Sequence, residues 1–525
     1  MSEAPILKDT TRSNGREALQ KNIQAAMALA EAIRSTLGPK GLDKLLIDDE
    51  GRTLVTNDGV TVLETAKVEH PVAKMMINAS STQDRVAKDG TTSTVILAGE
   101  MLQNAWQLIL QGIHPSTIAR GYRKSEQFIL ESLPEIVFDS DDEIKHSVVN
   151  TTLAGKGHSS MQEIIAKLSL EAVQIVAESD SSVDISKIKL ISQTGGKVED
   201  SRVFRGLMLP KKRISSDMKR EVYEGKILLV DGGLEKNNVS TDLKLNVTTV
   251  GIIESFRQEE RKMLKQMVDR LVDNNISVLA CRESIDDDIK NYLTEQGIQA
   301  FRRVSRNDLN MLAKTCNASI VNSIMGISAK NIGEFVSSKN ITIDGKDFWI
   351  VEGDGNAATI VAKASTVDVV GEVERCFDDS LGVSTQLIED GKVVCGGGAA
   401  YVALAKRLRR FAETIPGREQ LAIEAYADAI EVIVRVLAEN AGIDPISALL
   451  DVVAEQTNAN SDNIGLNLTN GKPGNMIELG VLEPQGIIKQ AIIGATEVAI
   501  SILRIDDVLW AKQEMEMPEL PDEEL

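Results

Sequence analysis

The chain has 525 residues, 42% of them hydrophobic and 26% charged, a length that suits about three or four domains and a core that needs no disulfide or metal staple. This balance excludes collagen-like, disulfide-dense and wholly disordered classes. With 58 basic against 78 acidic residues the net charge is −20, so phosphate backbones and anionic membranes are repelled, and neither nucleic acid nor membrane is expected as a partner.

In chain order, Ile23, Met27, Ala30, Ile33 and Leu37 fall at helical spacing, and Gly38-Pro39 stops the helix. KLLID and TLVTNDGVTVLE read as two short strands around a turn. Helices return in HPVAKMMINASSTQDRVAKD, TTSTVILAGEMLQNAWQLILQG and PSTIARGYRKSEQFILESLPEI, and DSDDE marks a solvated boundary. The middle has a different texture. The β-rich runs KILLVDG, VTTVGII, SVLACR, QAFRRV and ASIVNSI alternate with helical EERKMLKQMVDRLVDN and DDIKNYLTEQG. That alternation predicts an α/β unit with a largely parallel sheet. From about residue 400 the helices AAYVALAKRLRRFAET, REQLAIEAYADAIEVIVRVLAEN and PISALLDVVAEQT follow. The two helical ends can form one domain, with the α/β part inserted between them. The tail EMEMPELPDEEL, acidic with two prolines, reads as disordered.

Cys281, Cys316, Cys376 and Cys395 stand far apart with no C-x-x-C pair, and His70, His114, His146 and His158 do not cluster with them. Neither a disulfide framework nor a His/Cys metal site is expected, and a reducing compartment fits. MSEAPILKDTTRSNGRE lacks an apolar signal core, and no run of about 18 apolar residues occurs, so a cytoplasmic location is expected.

Several short motifs can carry chemistry, and each has a plain structural reading beside it. Thr36-Leu37-Gly38-Pro39-Lys40-Gly41 is a helix stop or a backbone cradle for an anion; it is not a P-loop. Lys88-Asp89-Gly90-Thr91-Thr92-Ser93 opens a helix, with Asp89 at or near the N-cap. Helix N-terminal amides and three hydroxyls suit phosphate, and Asp89 suits Mg²⁺. Asn57-Asp58-Gly59 is a hairpin turn by its dipeptide. Asp378-Asp379 is a solvated helix face, unless Asp379 meets a phosphate and activates water. Gly396-Gly397-Gly398 lets a backbone or a ligand approach closely. Glu483 is an exposed turn residue or an acceptor of ribose hydroxyls. Gly353-Asp354-Gly355-Asn356-Ala357-Ala358 matches G-x-G-x-x-A, but TIVAKAS after it reads as a strand. A dinucleotide site needs a helix there, so a nicotinamide-dependent enzyme is disfavoured.

Taken together and in order, TLGPKGLDKLL (36–46), NDGVTVL (57–63), DGTTS (89–93), ERCFDDSL (374–381), GKVVCGGGA (391–399), NAGIDPI (440–446) and the stretch from ELGVLEP to ILRIDDV (478–508) resemble a group II chaperonin subunit, of the thermosome and eukaryotic cytosolic chaperonin family. The resemblance spans nearly the whole chain. It implies a multidomain α and α/β fold. A mostly helical equatorial ATP-binding domain (1–141 and 400–525) and a small α/β hinge domain (142–208 and 364–399) would flank an apical α/β client-binding domain (209–363). A built-in lid segment is expected at about 237–272, because NNVSTDLKLNVTTVGIIESF (237–256) precedes the helix EERKMLKQMVDRL. Its β-branched residues are poor helix formers, so a strand-like or disordered tip is expected when the lid is open.

The implied activity is ATP hydrolysis that closes a double ring over an unfolded or partly folded client, with ATP and Mg²⁺ as cofactors and other chaperonin subunits, identical or different, as partners. By the resemblance, Gly38, Pro39, Gly397 and Gly398 line the nucleotide and Asp89 ligates Mg²⁺. Gly90, Thr91, Thr92 and Ser93 hold the phosphates, and Asp58 and Asp379 position and activate water. Glu483 holds the ribose, Asn467 lies near the base, and Lys156 senses the γ-phosphate. Two positions depart from the family pattern. Lys88 stands where glycine is usual, and Tyr401 stands where an acidic residue is usual. They motivate a second reading, a divergent subunit with weak ATPase acting as a structural or client-binding member of a mixed ring.

Overall fold

The structure, a computed structural model, describes residues 10–47, 51, 53–66, 68–178, 181–234, 250–343 and 345–511. The tail and residues 237–249 of the expected lid lie outside the described residues.

In chain order the elements begin with β1 (Thr10–Asn14), α1 (Gly15–Arg34), β2 (Lys44–Ile47), β3 (Thr53–Thr56), α2 (Gly59–Thr65), α3 (Pro71–Ala87), α4 (Thr91–Leu110), α5 (Pro115–Ser132), β4 (Phe138–Asp139), α6 (Asp142–Leu153) and α7 (Ser159–Val176). The middle runs through β5 (Ile188–Thr194), β6 (Arg202–Arg205), β7 (Leu207–Leu209), β8 (Glu221–Val230), α8 (Val250–Asp273), β9 (Ile276–Cys281), α9 (Asp287–Glu295), β10 (Gln299–Phe301), α10 (Arg306–Cys316), β11 (Gly333–Ile343), β12 (Lys346–Glu352), β13 (Ala358–Ala364) and α11 (Val367–Glu389). The chain closes with β14 (Lys392–Cys395), α12 (Ala399–Thr414), α13 (Arg418–Ile430), α14 (Val432–Asn440), α15 (Pro445–Asn458), β15 (Ile464–Asn467), β16 (Lys472–Asn475), β17 (Leu482–Pro484), α16 (Gln485–Leu503) and β18 (Asp507–Ala511).

Two compact units result, one from residues 1–158 and 390–525, the other from 159–389. The nested order follows from the texture: both helical ends contribute to one unit, and the strand-rich middle is inserted.

The first unit is a helical bundle around α4. Val95, Leu97, Met101, Leu102 and Ala105 of α4 are buried against Ile23 and Ile33 of α1, Met76 of α3 and Ala491 and Ala495 of α16. Tyr122 donates to the Met101 carbonyl (2.7 Å) and meets Tyr426 edge-on at 5.3 Å, so the bundle's largest buried rings are satisfied at their polar ends. Helix α16 is long and apolar enough to cross a membrane, yet Ile487, Ile488, Ala491, Ile492, Ala495 and Ala499 are buried in this bundle. Strand β1 pairs antiparallel with β18, and β14 lies between β17 and β4.

The second unit has two sheets. One, in the order β5-β13-β6, carries α7 and α11; Ser169 of α7 and Ser380 of α11 bond at 2.6 Å between them. The other has the order β10-β9-β8-β11-β12-β7. Leu264, Val268 and Leu271 of α8 cover one face, and Leu309 and Leu312 of α10 cover the other. Only β10-β9-β8 is parallel; β8-β11-β12-β7 is antiparallel. The sheet is therefore mixed rather than largely parallel, because β11 and β12 are joined by a tight hairpin and not by a helix.

Local expectations differ at four further places. GVTVLE after Asp58 is helix α2, not a strand: Asp58 caps it and Val60, Val62 and Leu63 turn inward, so burial overrides β-branched propensity. Residues 250–253 of VTTVGII open α8. ASIVNSI forms one bridge, Val230 to Val321, rather than a strand. The long helix expected over 418–440 breaks at Glu431 into α13 and α14.

Candidate functional site

The first unit brings five separated turns together. Asn440 donates to the carbonyls of Arg34 and Leu37 (3.0 and 2.9 Å), satisfying the exposed C-terminal end of α1. A Cβ added at Gly38 would overlap Leu437, and one at Gly398 would overlap Val434. Both contacts fall on α14, three residues apart, and such residues are about 5–6 Å neighbours. The TLGP turn and the triple glycine therefore meet on one helix face. Gly155, just before Lys156, lies against Pro39, where a Cβ would sit 3.1 Å from its Cα. Leu466 donates to the Gly397 carbonyl (3.0 Å), which places Asn467 one residue from the triple glycine.

The Asp89 turn joins the same neighbourhood. Gly90, not Asp89, is the N-cap of α4, with φ 78°, a left-handed conformation that glycine adopts without strain. The cap has no side chain, so the first amides of α4 are not claimed by one. Asp89 Oδ1 instead accepts from Gly90 N–H at 2.7 Å. Gly59 lies against Thr92, where a Cβ would be 3.3 Å from its backbone N, which sets Asp58 beside the α4 N-terminus. Asp58 is not a hairpin-turn residue: its Oδ2 accepts from Thr61 N–H (2.9 Å) and the Thr61 hydroxyl (2.5 Å), capping α2.

Glu483 is no exposed turn residue either. It is half-buried on β17, paired with Val394 of β14, and a Cβ at Gly396 would be 3.0 Å from its Oε1. Burial first, then the charge of Asp89, push its carboxyl up to about 7. Tyr401 is buried beside both carboxylates; burial first, then Glu483 and Asp89, hold its phenol well above the usual range, so it stays neutral.

Two acids thus lie beside the same helix start with its amides and hydroxyls: helix N-terminal donors for an anion, and carboxylates whose mutual repulsion a cation would relieve. Among the described residues, no three His, Cys, Asp or Glu converge. Mg²⁺ is held in practice by one or two carboxylates together with substrate phosphates and water, so the donor set fits that ion with a polyphosphate.

Asp379 belongs to the second unit. It is half-buried on α11, between exposed Asp378 and buried Ser380. Sequence reasoning missed Gln83 and the α14 pair Val434 and Leu437; an apolar pair on a helix and a glutamine inside one carry no local signal. All four cysteines are buried, and none forms a disulfide.

The TCP-1/cpn60 chaperonin family matches residues 29–513. The chain is 41% identical over 520 residues to a thermosome subunit of Pyrococcus horikoshii, covering 97% of this chain and 94% of that protein. It is 41% identical over 508 residues to a thermosome subunit of Methanopyrus kandleri (95% and 93%). To thermosome subunit beta of Archaeoglobus fulgidus it is 40% identical over 535 aligned positions (98% of each).

Proposed function

From the premise that the chain belongs to the TCP-1/cpn60 chaperonin family, in its group II branch, we propose that it is an ATP-hydrolysing subunit of a cytoplasmic double-ring chaperonin that encloses unfolded clients beneath a built-in lid. The observation that carries the reading is the meeting of the TLGP, DGTTS and triple-glycine turns around Asp89 and Glu483.

The first amides of α4 and the hydroxyls of Thr91, Thr92 and Ser93 bind the phosphates. Gly38, Pro39, Gly397 and Gly398 let the nucleotide approach the backbone closely. Glu483 accepts from the ribose, Asn467 lies by the base, and Lys156 meets the γ-phosphate. Asp89 holds Mg²⁺, which when bound supplies charge neutralisation to the phosphate oxygens. Asp58 and Asp379 orient the attacking water and accept its proton as its oxygen bonds to the γ-phosphorus and ADP leaves. Asp379 takes this role from its motif, ERCFDDSL.

The reading divides the chain into equatorial (1–141 and 400–525), hinge (142–208 and 364–399) and apical (209–363) domains. Clients would meet the second unit's exposed methionines. Met263 and Met267 share a face of α8, and Arg270, one turn on, donates to the Met325 carbonyl (2.6 Å). Met263 and Met325 are about half exposed, and flexible thioethers suit varied apolar partners.

The test is Asp379→Ala. Nucleotide binding should persist while steady-state hydrolysis falls about 10²–10⁴-fold. Undiminished turnover removes the catalytic assignment.

A further inference from the structure

The Asp89 turn is held from behind by a side chain that no motif announces. Gln83, on the last turns of α3, is 1% exposed. Its Nε2 donates to the Asp89 carbonyl (2.7 Å) and to the Ile487 carbonyl in the first turn of α16 (3.2 Å). Both partners are carbonyl oxygens, which fixes the orientation of the amide, since only its NH₂ can serve them. A Cβ at Gly90 would lie 3.0 Å from that nitrogen and 2.7 Å from Ile487 Cγ2. Gln83 therefore ties α3, the Asp89 turn and the start of α16 at one point.

The consequence runs through a single peptide unit. The Asp89 carbonyl and the Gly90 N–H belong to the same plane and point in opposite directions. Gln83 holds the oxygen side, so the N–H side is aimed, and it is this N–H that Asp89 Oδ1 accepts. The rotamer of the Asp89 carboxylate is thereby set from the far side of its own peptide, with Oδ1 committed to the Gly90 N–H. Gln83 carries a penalty for this: its Oε1 is buried with no partner, an unfavourable state that a residue serving only as filler would avoid. We infer that Gln83 is a positioning residue for the metal-binding carboxylate, acting on Asp89 through the Asp89–Gly90 peptide. The inference rests on the proposed role of Asp89.

Gln83→Met keeps the length and volume and removes both donors. In the full-length chain, the magnesium concentration that half-saturates nucleotide binding should rise about tenfold. The kcat should fall about 10–100-fold, the range for groups that orient a metal ligand, with KM within about threefold; loss of the two buried hydrogen bonds also lowers the melting temperature. A merely structural role would lower the melting temperature and leave the magnesium requirement alone; that result overturns the inference. Asp89→Asn separates the two claims. If Asp89→Asn raises the magnesium requirement and Gln83→Met does not, the inference fails and the role of Asp89 stands. If Asp89→Asn also leaves it unchanged, both fail. Should Gln83→Met not fold, hydrogen exchange of the nucleotide-free wild type decides. The Gly90 amide, resolved with overlapping peptides, is expected to be protected; exchange at the rate of an unstructured amide overturns the inference.

Discussion

Among the glycine-rich turns that follow strands, two have opposite surroundings. Gly396-Gly397-Gly398 follows β14 and ends as the N-cap of α12, close to the N-terminus of α4 through the contacts on α14 and β17. Gly353-Asp354-Gly355 follows β12 and lies against the last turn of α10: Gly355 donates to the Thr315 carbonyl (2.9 Å), a Cβ at Gly353 would overlap the Thr315 carbonyl, and one at Gly355 would overlap the Lys314 and Thr315 carbonyls. One turn is set among unclaimed amides, the other against a helix C-terminus rich in carbonyl oxygens. Polarity of the neighbouring helix, not the number of glycines, decides which turn can receive a phosphate.

The sharpest way to break this comparison is a pair of alanine substitutions. Gly398→Ala and Gly355→Ala both force a methyl into occupied space, and each is expected to destabilise its own unit by about 1–3 kcal/mol. Gly398 also has φ 78°, which adds about 1–2 kcal/mol for an L-residue. Nucleotide affinity should fall more than about 100-fold for Gly398→Ala and stay within about twofold for Gly355→Ala, since a 1 Å displacement in a positioning element costs about that much. Equal losses of affinity would mean that the amide-rich surroundings do not matter. Titration of both variants with a fluorescent ATP analogue measures this.

The electrostatic side of the comparison predicts a pH effect. Glu483 is held at about 7 from an ordinary value of 4.5 by burial and by Asp89. An acid whose folded pKa is raised binds its proton more tightly in the native state, so stability is lost as pH rises from about 4.5 to about 7 and stays lost above. In metal- and nucleotide-free protein, Glu483→Gln should therefore raise stability at pH 8 by about 1–3 kcal/mol and leave it unchanged near pH 4. Melting curves across pH check the sign; a gain that is the same at both ends of the range would mean that neither burial nor Asp89 raises the Glu483 carboxyl.

How much of this was legible in the sequence follows from the same physics. The nested order of units was legible because period-3.6 stretches bracket a strand-rich middle. The turns around Gly38, Asp89 and Gly397 were legible because glycine, aspartate and hydroxyl residues at a helix start leave a local mark. The false dinucleotide motif at 353–358 was legible too, since a strand (β13) follows it. What failed depended on distant partners. Val60, Thr61 and Val62 favour a strand until Asp58 caps them and the bundle buries Val60 and Val62. The sheet's antiparallel half depends on the hairpin between β11 and β12. Gln83 reads as one more polar residue on a helix until the fold sets its amide behind Asp89.

The smallest expected effect concerns two helix ends, that of α3, which leads into the Asp89 turn, and that of α10, whose last turn packs against Gly353-Asp354-Gly355. Lys88 caps the C-terminus of α3 and Asn317 that of α10, and both residues are left-handed, with φ 57° and 51°. Asparagine tolerates that conformation, whereas a lysine there costs about 1–2 kcal/mol relative to glycine. Lys88→Gly should therefore stabilise the chain by about 1 kcal/mol, and Asn317→Gly by only a few tenths. The Lys88 N–H that closes α3 onto the Asp84 carbonyl (3.0 Å) survives the change, so the Asp89 turn keeps its direction and turnover is expected to stay within about twofold. A substantial rise in ATPase activity on Lys88→Gly would instead mean that this strained cap throttles hydrolysis, and would revive the divergent subunit with weak ATPase.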